Sequence, residues 1–80
     1  MSSSNVSARQ STYVVYPAAL FDGWEVVKDG ADDALVFGTS QEAIHYATTY
    51  ARTDEASVRL EDWFGHTVAV WSYEPVRPAA

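Results

Sequence analysis

Residues 39–51, TSQEAIHYATTYA, decide the fold, because they predict the helix around which the other elements are arranged. Thr39 and Glu42 stand in the pattern of a capping box, in which each side chain binds the backbone N–H of the other residue at a helix start. Apolar residues then recur at the spacing of one helical face, at Ala43, Ile44, Ala47, Tyr50 and Ala51. We expect the small alanines to let this helix lie close against a sheet.

Three short segments before the helix predict strands, because they are dense in β-branched and aromatic residues. They are residues 12–16, 24–28 and 34–37. The dipeptide Asp29-Gly30 is the strongest turn signal in the chain and follows the second segment directly. Strands joined by such short connections most simply form an antiparallel meander.

Two further strands are predicted after the helix. Residues 57–61 alternate, so that Val58 and Leu60 are expected to face inward. Residues 66–74, HTVAVWSYE, are apolar on both faces, which is typical of a strand that is central in a sheet or that faces a partner. The order β-β-β-α-β-β predicts an α+β fold, with a mostly antiparallel sheet and one helix packed on one face.

The two ends of the chain differ in composition from the segments between them. Residues 1–11 are polar and show no apolar periodicity, and residues 75–80 contain two prolines. We therefore expect a disordered N-terminal tail at 1–11, a single domain at 12–74 and a flexible C-terminal tail at 75–80. A core of this size supplies only about 3–5 kcal/mol of net stability. With no cysteine for disulfides, we expect three Trp, five Tyr and three Phe to add to it.

The charge of the chain disfavours two classes of partner. The formal net charge is −6, and the five basic residues are scattered over different segments, at Arg9, Lys28, Arg52, Arg59 and Arg77. A nucleic-acid-binding surface normally needs a basic face that displaces counterions from phosphates. The same field should repel anionic membranes, and no apolar run approaches the ~18 residues of a membrane-spanning helix. The absence of cysteine fits a reducing cytoplasm, which is the predicted location.

No pattern in the sequence indicates catalysis, a metal site or a cofactor. A transition-metal site needs three or four convergent ligands, and His45 and His66 lie far apart in the chain. Most serines fall in the N-terminal tail, where nothing would hold a nucleophile against a base. We therefore predict no catalytic, metal-binding or cofactor-binding residues, and a chain that is not an enzyme.

Two pairs of large apolar residues stand in predicted loops. Trp63 and Phe64 occupy the turn of the last hairpin, and Leu20 and Phe21 occupy the first loop. Leaving such side chains in water costs about 1.5–3 kcal/mol each. They therefore either fold back over the core or contact a partner, and interfaces use Trp and Phe as anchors. We take these four residues as candidate partner-binding residues.

Several segments follow one another in a familiar order. They are YVVYP at 13–17, GWEVVK at 23–28, TSQEAI at 39–44 with Ala47 and Ala51, and a hairpin around Gly65. Together they resemble a family of short bacterial proteins of unknown function, whose members read as a YHVVP strand, a GWxVK strand, a T..EAI..A...A helix and a closing hairpin. The resemblance implies the β-β-β-α-β-β layout and a bacterial or phage origin. It implies no activity and supplies no site residues.

Two loops depart from the pattern of that family. Its members usually carry a polar, often basic hairpin turn, where this chain has DWFG at 62–65. Their first loop is often short and rich in glycine, where this chain has AALF at 18–21. The resemblance therefore predicts, for this chain, no shared function that uses a basic turn.

The sequence leads to two hypotheses from different classes. The first is a non-enzymatic protein-interaction domain, whose partner has a basic surface because the chain is acidic; homodimerisation stays open. The alternative is a nucleic-acid-binding module that stacks bases on sheet aromatics. The candidates for that role are Tyr13, Trp24, Trp71 and Tyr73. The net charge disfavours the alternative.

Overall fold

The computed structural model describes residues 11–73. The expected tails at 1–11 and 75–80 lie outside these residues, apart from Ser11, and so does Glu74 at the end of the predicted domain.

Within residues 11–73, five strands and one helix follow one another in the predicted order. They are β1 (Thr12–Pro17), β2 (Trp24–Lys28), β3 (Ala34–Phe37), α1 (Ser40–Asp54), β4 (Ser57–Glu61) and β5 (Thr67–Ser72). The predicted α+β fold is confirmed, with one helix on one face of a mostly antiparallel sheet.

The five strands form one sheet in the order β3-β2-β1-β4-β5. The first three are an antiparallel meander, as predicted, and β5 pairs antiparallel with β4. The pairing of β1 with β4 is parallel, with Val15 opposite Leu60. Helix α1 makes the crossover that this parallel pair needs. The sequence left this strand order open.

The last strand lies at one edge of the sheet. Its composition indicated either a central strand or a strand that faces a partner, and the first alternative is wrong. Val68 and Val70 are both exposed. A bulge between Leu60 and Glu61 on the neighbouring strand shifts the register of the pair. The apolar outer residues of β5 are thus left without cover from residues 11–73.

Specific hydrogen bonds define both ends of α1. The Thr39 hydroxyl accepts a hydrogen bond from the backbone N–H of Glu42 at 3.1 Å, as in a capping box. The reciprocal bond from the Glu42 carboxylate is not formed among the described residues. At the other end Glu55 takes a left-handed conformation with φ 57°, and its N–H donates to the Ala51 carbonyl.

The core lies between α1 and the facing side of the sheet. The predicted alanines Ala43, Ala47 and Ala51 are fully buried against Val15 and Val58. Larger side chains, mostly aromatic, surround this centre and are partly buried: Trp24, Phe37, Ile44, Tyr46, Leu60, Trp71 and Tyr73. The aromatic residues thus widen a small core, whereas its centre is built from valine and alanine.

One hydrogen-bonded cluster ties the end of α1 to the sheet. The buried Tyr13 hydroxyl donates to the Asp54 carboxylate at 2.5 Å, and the Lys28 ammonium lies 3.5 Å from the same oxygen. Burial raises the pKa of Tyr13, and the hydrogen bond to Asp54 raises it further. The bond from Tyr13 lowers the pKa of Asp54. This cluster ties the C-terminal end of α1 to β1 and β2.

Candidate functional site

The sheet topology brings the two predicted pairs of loop residues to the same end of the molecule. Strands β1 and β4 are parallel neighbours, so their C-terminal ends lie at the same end of the sheet. The first loop, residues 18–23, follows β1, and the hairpin turn, residues 62–66, follows β4. We call the four side chains Leu20, Phe21, Trp63 and Phe64 the apolar end.

Three of the four side chains at the apolar end are largely in water. Leu20 is 94% exposed, Trp63 67% and Phe64 83%, whereas Phe21 is 41% exposed. The sequence allowed these side chains either to fold back over the core or to stay outside, and Leu20, Trp63 and Phe64 stay outside. Large apolar side chains exposed at one end of a small protein are candidates for an interaction surface.

The hairpin turn is held by one carboxylate. Asp62 accepts hydrogen bonds from the backbone N–H groups of Phe64 and His66, each at 2.9 Å. The backbone closes the turn through Gly65 N–H to the Asp62 carbonyl and Asp62 N–H to the His66 carbonyl. Trp63 and Phe64 therefore extend from an ordered turn, so that binding a partner would cost little backbone entropy there.

The same hydrogen bonds change the acidity of Asp62. They stabilise its charged form, chiefly the bond from the His66 backbone, and so lower its pKa. The His66 ring nitrogen Nδ1 lies 3.7 Å from the other carboxylate oxygen and adds to the effect when protonated. The carboxylate that orders the turn is thus ionised at neutral pH.

The first loop is shaped by a close approach of the backbone. The Ala18 N–H donates to the Gly23 carbonyl at 2.9 Å, and the Ala18 side chain is buried. Gly23 has φ 155°, and a Cβ atom there would lie 2.8 Å from the Phe37 carbonyl oxygen and 3.0 Å from the Phe21 ring. Glycine is required at this position, and it lets Phe21 lie over the loop while Leu20 points outward.

Acidic groups flank the apolar end. Asp22 follows Phe21 in the chain, and Glu61 and Asp62 precede Trp63. The nearest cation in sequence, Arg59, is paired with Glu61 at 3.0 Å. The field at this end therefore favours a positively charged partner surface.

The aromatic residues considered for base stacking lie on the side of the sheet that faces α1. Tyr13 is buried in the core, and Trp24, Trp71 and Tyr73 pack against it. The guanidinium of Arg52 stacks over the Tyr73 ring at 5.3 Å. Stacking of nucleic-acid bases needs exposed rings, whereas Tyr13 is buried and the other three rings are partly buried.

A second surface feature was not predicted from the sequence. A groove of 670 Å³ lies between β3 and α1. Its residues include Phe37, Gln41, Glu42, His45, Tyr46 and Tyr50. We call it the aromatic groove. The four-residue spacing of Tyr46 and Tyr50 was a usable signal, because it places both rings on one flank of the helix. Tyr50 was instead predicted on the buried face, and it is 49% exposed.

The two histidines are not part of a metal-binding cluster among the described residues. His45 lies on α1, and His66 ends the hairpin turn. Within residues 11–73, no group of three or more His, Cys, Asp or Glu side chains is placed to hold a metal ion. The described part of the chain also has no helix long and apolar enough to cross a membrane.

Comparison with known proteins identifies a family. Neither the curated proteins nor the solved structures contain a match to this chain. A family model described as "Uncharacterized protein conserved in bacteria (DUF2188)" matches residues 13–69, from β1 into β5. The match includes the first loop, the helix and the hairpin turn. The chain therefore belongs to the DUF2188 family of uncharacterized bacterial proteins.

Proposed function

We propose that this chain is a non-enzymatic protein-interaction domain that works in the bacterial cytoplasm and binds its partner through the apolar end. The observation that carries the proposal is the joint exposure of Leu20, Phe21, Trp63 and Phe64 on two loops at one end of the sheet. Each such side chain in water costs about 1.5–3 kcal/mol relative to burial. A partner that covers them would recover much of this free energy.

Order in the hairpin turn supports the proposal. The two hydrogen bonds to the Asp62 carboxylate and the backbone bonds of the turn order the backbone that carries the exposed Trp63 and Phe64. Aromatic side chains on an ordered backbone suit the role of anchors, because a partner gains their contact area without having to order the turn.

Charge supports a particular kind of partner. The chain has a net charge of −6, and Asp22, Glu61 and Asp62 lie beside the apolar end. A partner with a basic rim around an apolar pocket would complement both properties. An identical copy of this acidic surface would not, so we propose a different protein as the partner.

The proposal is tested by affinity capture from bacterial lysate, with the full chain immobilised and the captured proteins identified by mass spectrometry. Four samples are compared: the wild type, Trp63→Ser/Phe64→Ser, Leu20→Ser and Val70→Thr. Val70 is also exposed and apolar, but it lies on β5 away from the turn, so Val70→Thr is the matched control. Each sample is run with and without nuclease.

We expect one protein with a basic surface to be captured by the wild type and by Val70→Thr, with or without nuclease. Capture should be lost in the double variant and reduced in Leu20→Ser. Capture that disappears after nuclease treatment would instead favour nucleic-acid binding. Equal capture by all four samples would place the contact away from the apolar end and refute the assignment.

A further inference from the structure

The aromatic groove lies beside a sheet edge that residues 11–73 leave unpaired. Strand β3 is the outermost strand on its side and pairs only with β2 within the described sheet. In an antiparallel pair, half of the backbone N–H and C=O groups of an edge strand face outward. An extended peptide can add to such an edge through main-chain hydrogen bonds.

The position of the helix creates the groove. Helix α1 packs mainly over β1 and β4, so a trough is left above β3. Aromatic rings form its floor: Phe37 lies 5.2 Å from Tyr46, and Tyr46 lies 4.5 Å from Tyr50, between ring centroids. Tyr50 is half exposed at the outer end of this row. An added strand would place every second side chain on the helix side of the sheet, over these rings.

The charges near the groove favour a positively charged side chain in its ligand. Among residues 11–73, those that line the groove include Glu42 but no lysine or arginine. Asp32 and Asp33, both exposed, immediately precede β3. A guanidinium group is attracted to the faces of tyrosine rings and pairs with carboxylates, and its planar shape suits a row of rings.

We propose that the β3 edge and the aromatic groove together bind an extended peptide segment with an arginine side chain. The peptide backbone pairs with Ala34–Phe37, and the guanidinium lies over Tyr46 and Tyr50 within reach of Glu42. This site uses residues different from those of the apolar end. The two proposals can therefore fail separately.

The test is a titration of the ¹⁵N-labelled full chain with the peptide acetyl-Thr-Val-Arg-Val-Thr-amide, followed by heteronuclear NMR. We expect saturable shifts at the amides of β3 and along the groove side of α1, with a dissociation constant near or below about 1 mM. Tyr50→Ala and Glu42→Gln should each weaken binding about two- to fivefold. Both residues are exposed, so these variants should stay folded.

Matched controls separate the parts of the proposal. Asp22→Asn removes the same charge as Glu42→Gln but lies in the first loop, and it should bind the peptide like the wild type. A peptide with glutamate in place of arginine should bind far more weakly, and so should one with N-methylated backbone amides.

Three outcomes would overturn the proposal. One is the absence of shifts at the β3 amides at several times the expected dissociation constant. Another is a set of shifts confined to the apolar end or to β5, because the peptide would then bind elsewhere. The third is equal binding of the arginine and glutamate peptides, which would remove the charge argument on which the choice of ligand rests.

Discussion

Large apolar residues occur both at the apolar end and on the side of the sheet that α1 covers. They are buried on the covered side and mostly exposed at the apolar end. Val15 and Val58 are fully buried beneath the helix, whereas Leu20 and Phe64 are almost wholly exposed. The two sets of side chains differ in exposure because only the first set is covered by another element. The single helix of the described chain packs on the strands of one sheet face, whereas Leu20 and Phe64 stand on the loops that follow β1 and β4 and stay in water.

If the proposed function holds, the covered side of the sheet serves stability and the apolar end serves recognition. Burial of apolar area beneath α1 contributes most of the free energy that holds so small a domain together. The side chains of the apolar end contribute little to that free energy while they are in water. Substitutions in the first region should therefore change folding, and substitutions in the second should change binding.

The two regions should differ most in their response to an added negative charge. Val58→Asp would put a carboxylate in the apolar core with no partner, at a cost of several kcal/mol, against a total stability of about 3–5 kcal/mol. We expect this variant to be unfolded by circular dichroism, and Phe64→Asp to keep the wild-type spectrum. Unfolding of both variants would show that Phe64 belongs to the core.

Gly23 and Gly30 both have positive φ, but they differ in the space around them. Gly23→Ala would push a Cβ atom to 2.8 Å from the Phe37 carbonyl oxygen, whereas a Cβ atom at Gly30 meets nothing within 4 Å. We expect Gly23→Ala to lower the free energy of unfolding by about 2–3 kcal/mol, from backbone strain and the close contact together. Gly30→Ala should lower it by about 1 kcal/mol, because only backbone strain acts there. Urea unfolding measures both. Equal losses would mean that the first loop can shift away from Phe37.

The cluster of Tyr13 and Asp54 makes the covered side of the sheet sensitive to pH. Tyr13→Phe should cost about 1 kcal/mol at neutral pH, since the hydrogen bond is to a charged but partly exposed carboxylate. The comparison variant is Tyr16→Phe, which removes a hydroxyl bonded to Glu25 at 3.0 Å on the opposite face of the sheet.

The sign of the pH dependence follows from the two pKa shifts. The lowered pKa of Asp54 gives stability above its unfolded value, about 3.9, that is lost as the pH falls through the folded pKa. The raised pKa of Tyr13 gives stability below about pH 10 that is lost as the pH rises through the folded pKa. The melting temperature of Tyr13→Phe should fall less steeply than that of the wild type at both extremes. Parallel curves would contradict the account of this cluster.

Loss of the hydrogen bonds that order the hairpin turn should have a smaller effect, confined to the exposed region. Asp62→Ala removes the acceptor for the Phe64 and His66 N–H groups, so the turn should become mobile while the rest of the domain stays folded. Lower ¹⁵N order parameters at residues 63–66, together with weaker capture of the partner, are expected. Unchanged capture would show that order in the turn does not matter for binding.

Much of the fold could be predicted from local patterns. Thr39 and Glu42 located the start of α1, the buried alanines followed the helical spacing, and each strand lay within a residue or two of its predicted bounds. These signals are local because they depend on neighbours along the chain. The exposed Tyr50 shows their limit, since its burial depends on how far the sheet extends beneath the helix.

The arrangement of the site could not be predicted in the same way. Parallel pairing of β1 with β4 joins segments 45 residues apart, as in the contact between Thr12 and Ser57. Nothing in the local sequence of either strand specifies that pairing. The four residues of the apolar end could be named one by one as partner-binding candidates, but their meeting at one end of the sheet follows only from the strand order.

The most direct test of the account is urea unfolding of Trp63→Ser/Phe64→Ser beside the wild type. If the apolar end is an exposed contact surface, the free energy of unfolding should change by less than about 0.5 kcal/mol and the dependence on urea should stay the same. A loss of about 2 kcal/mol or more would mean that Trp63 and Phe64 stabilise the fold, and the apolar end would then be part of the core.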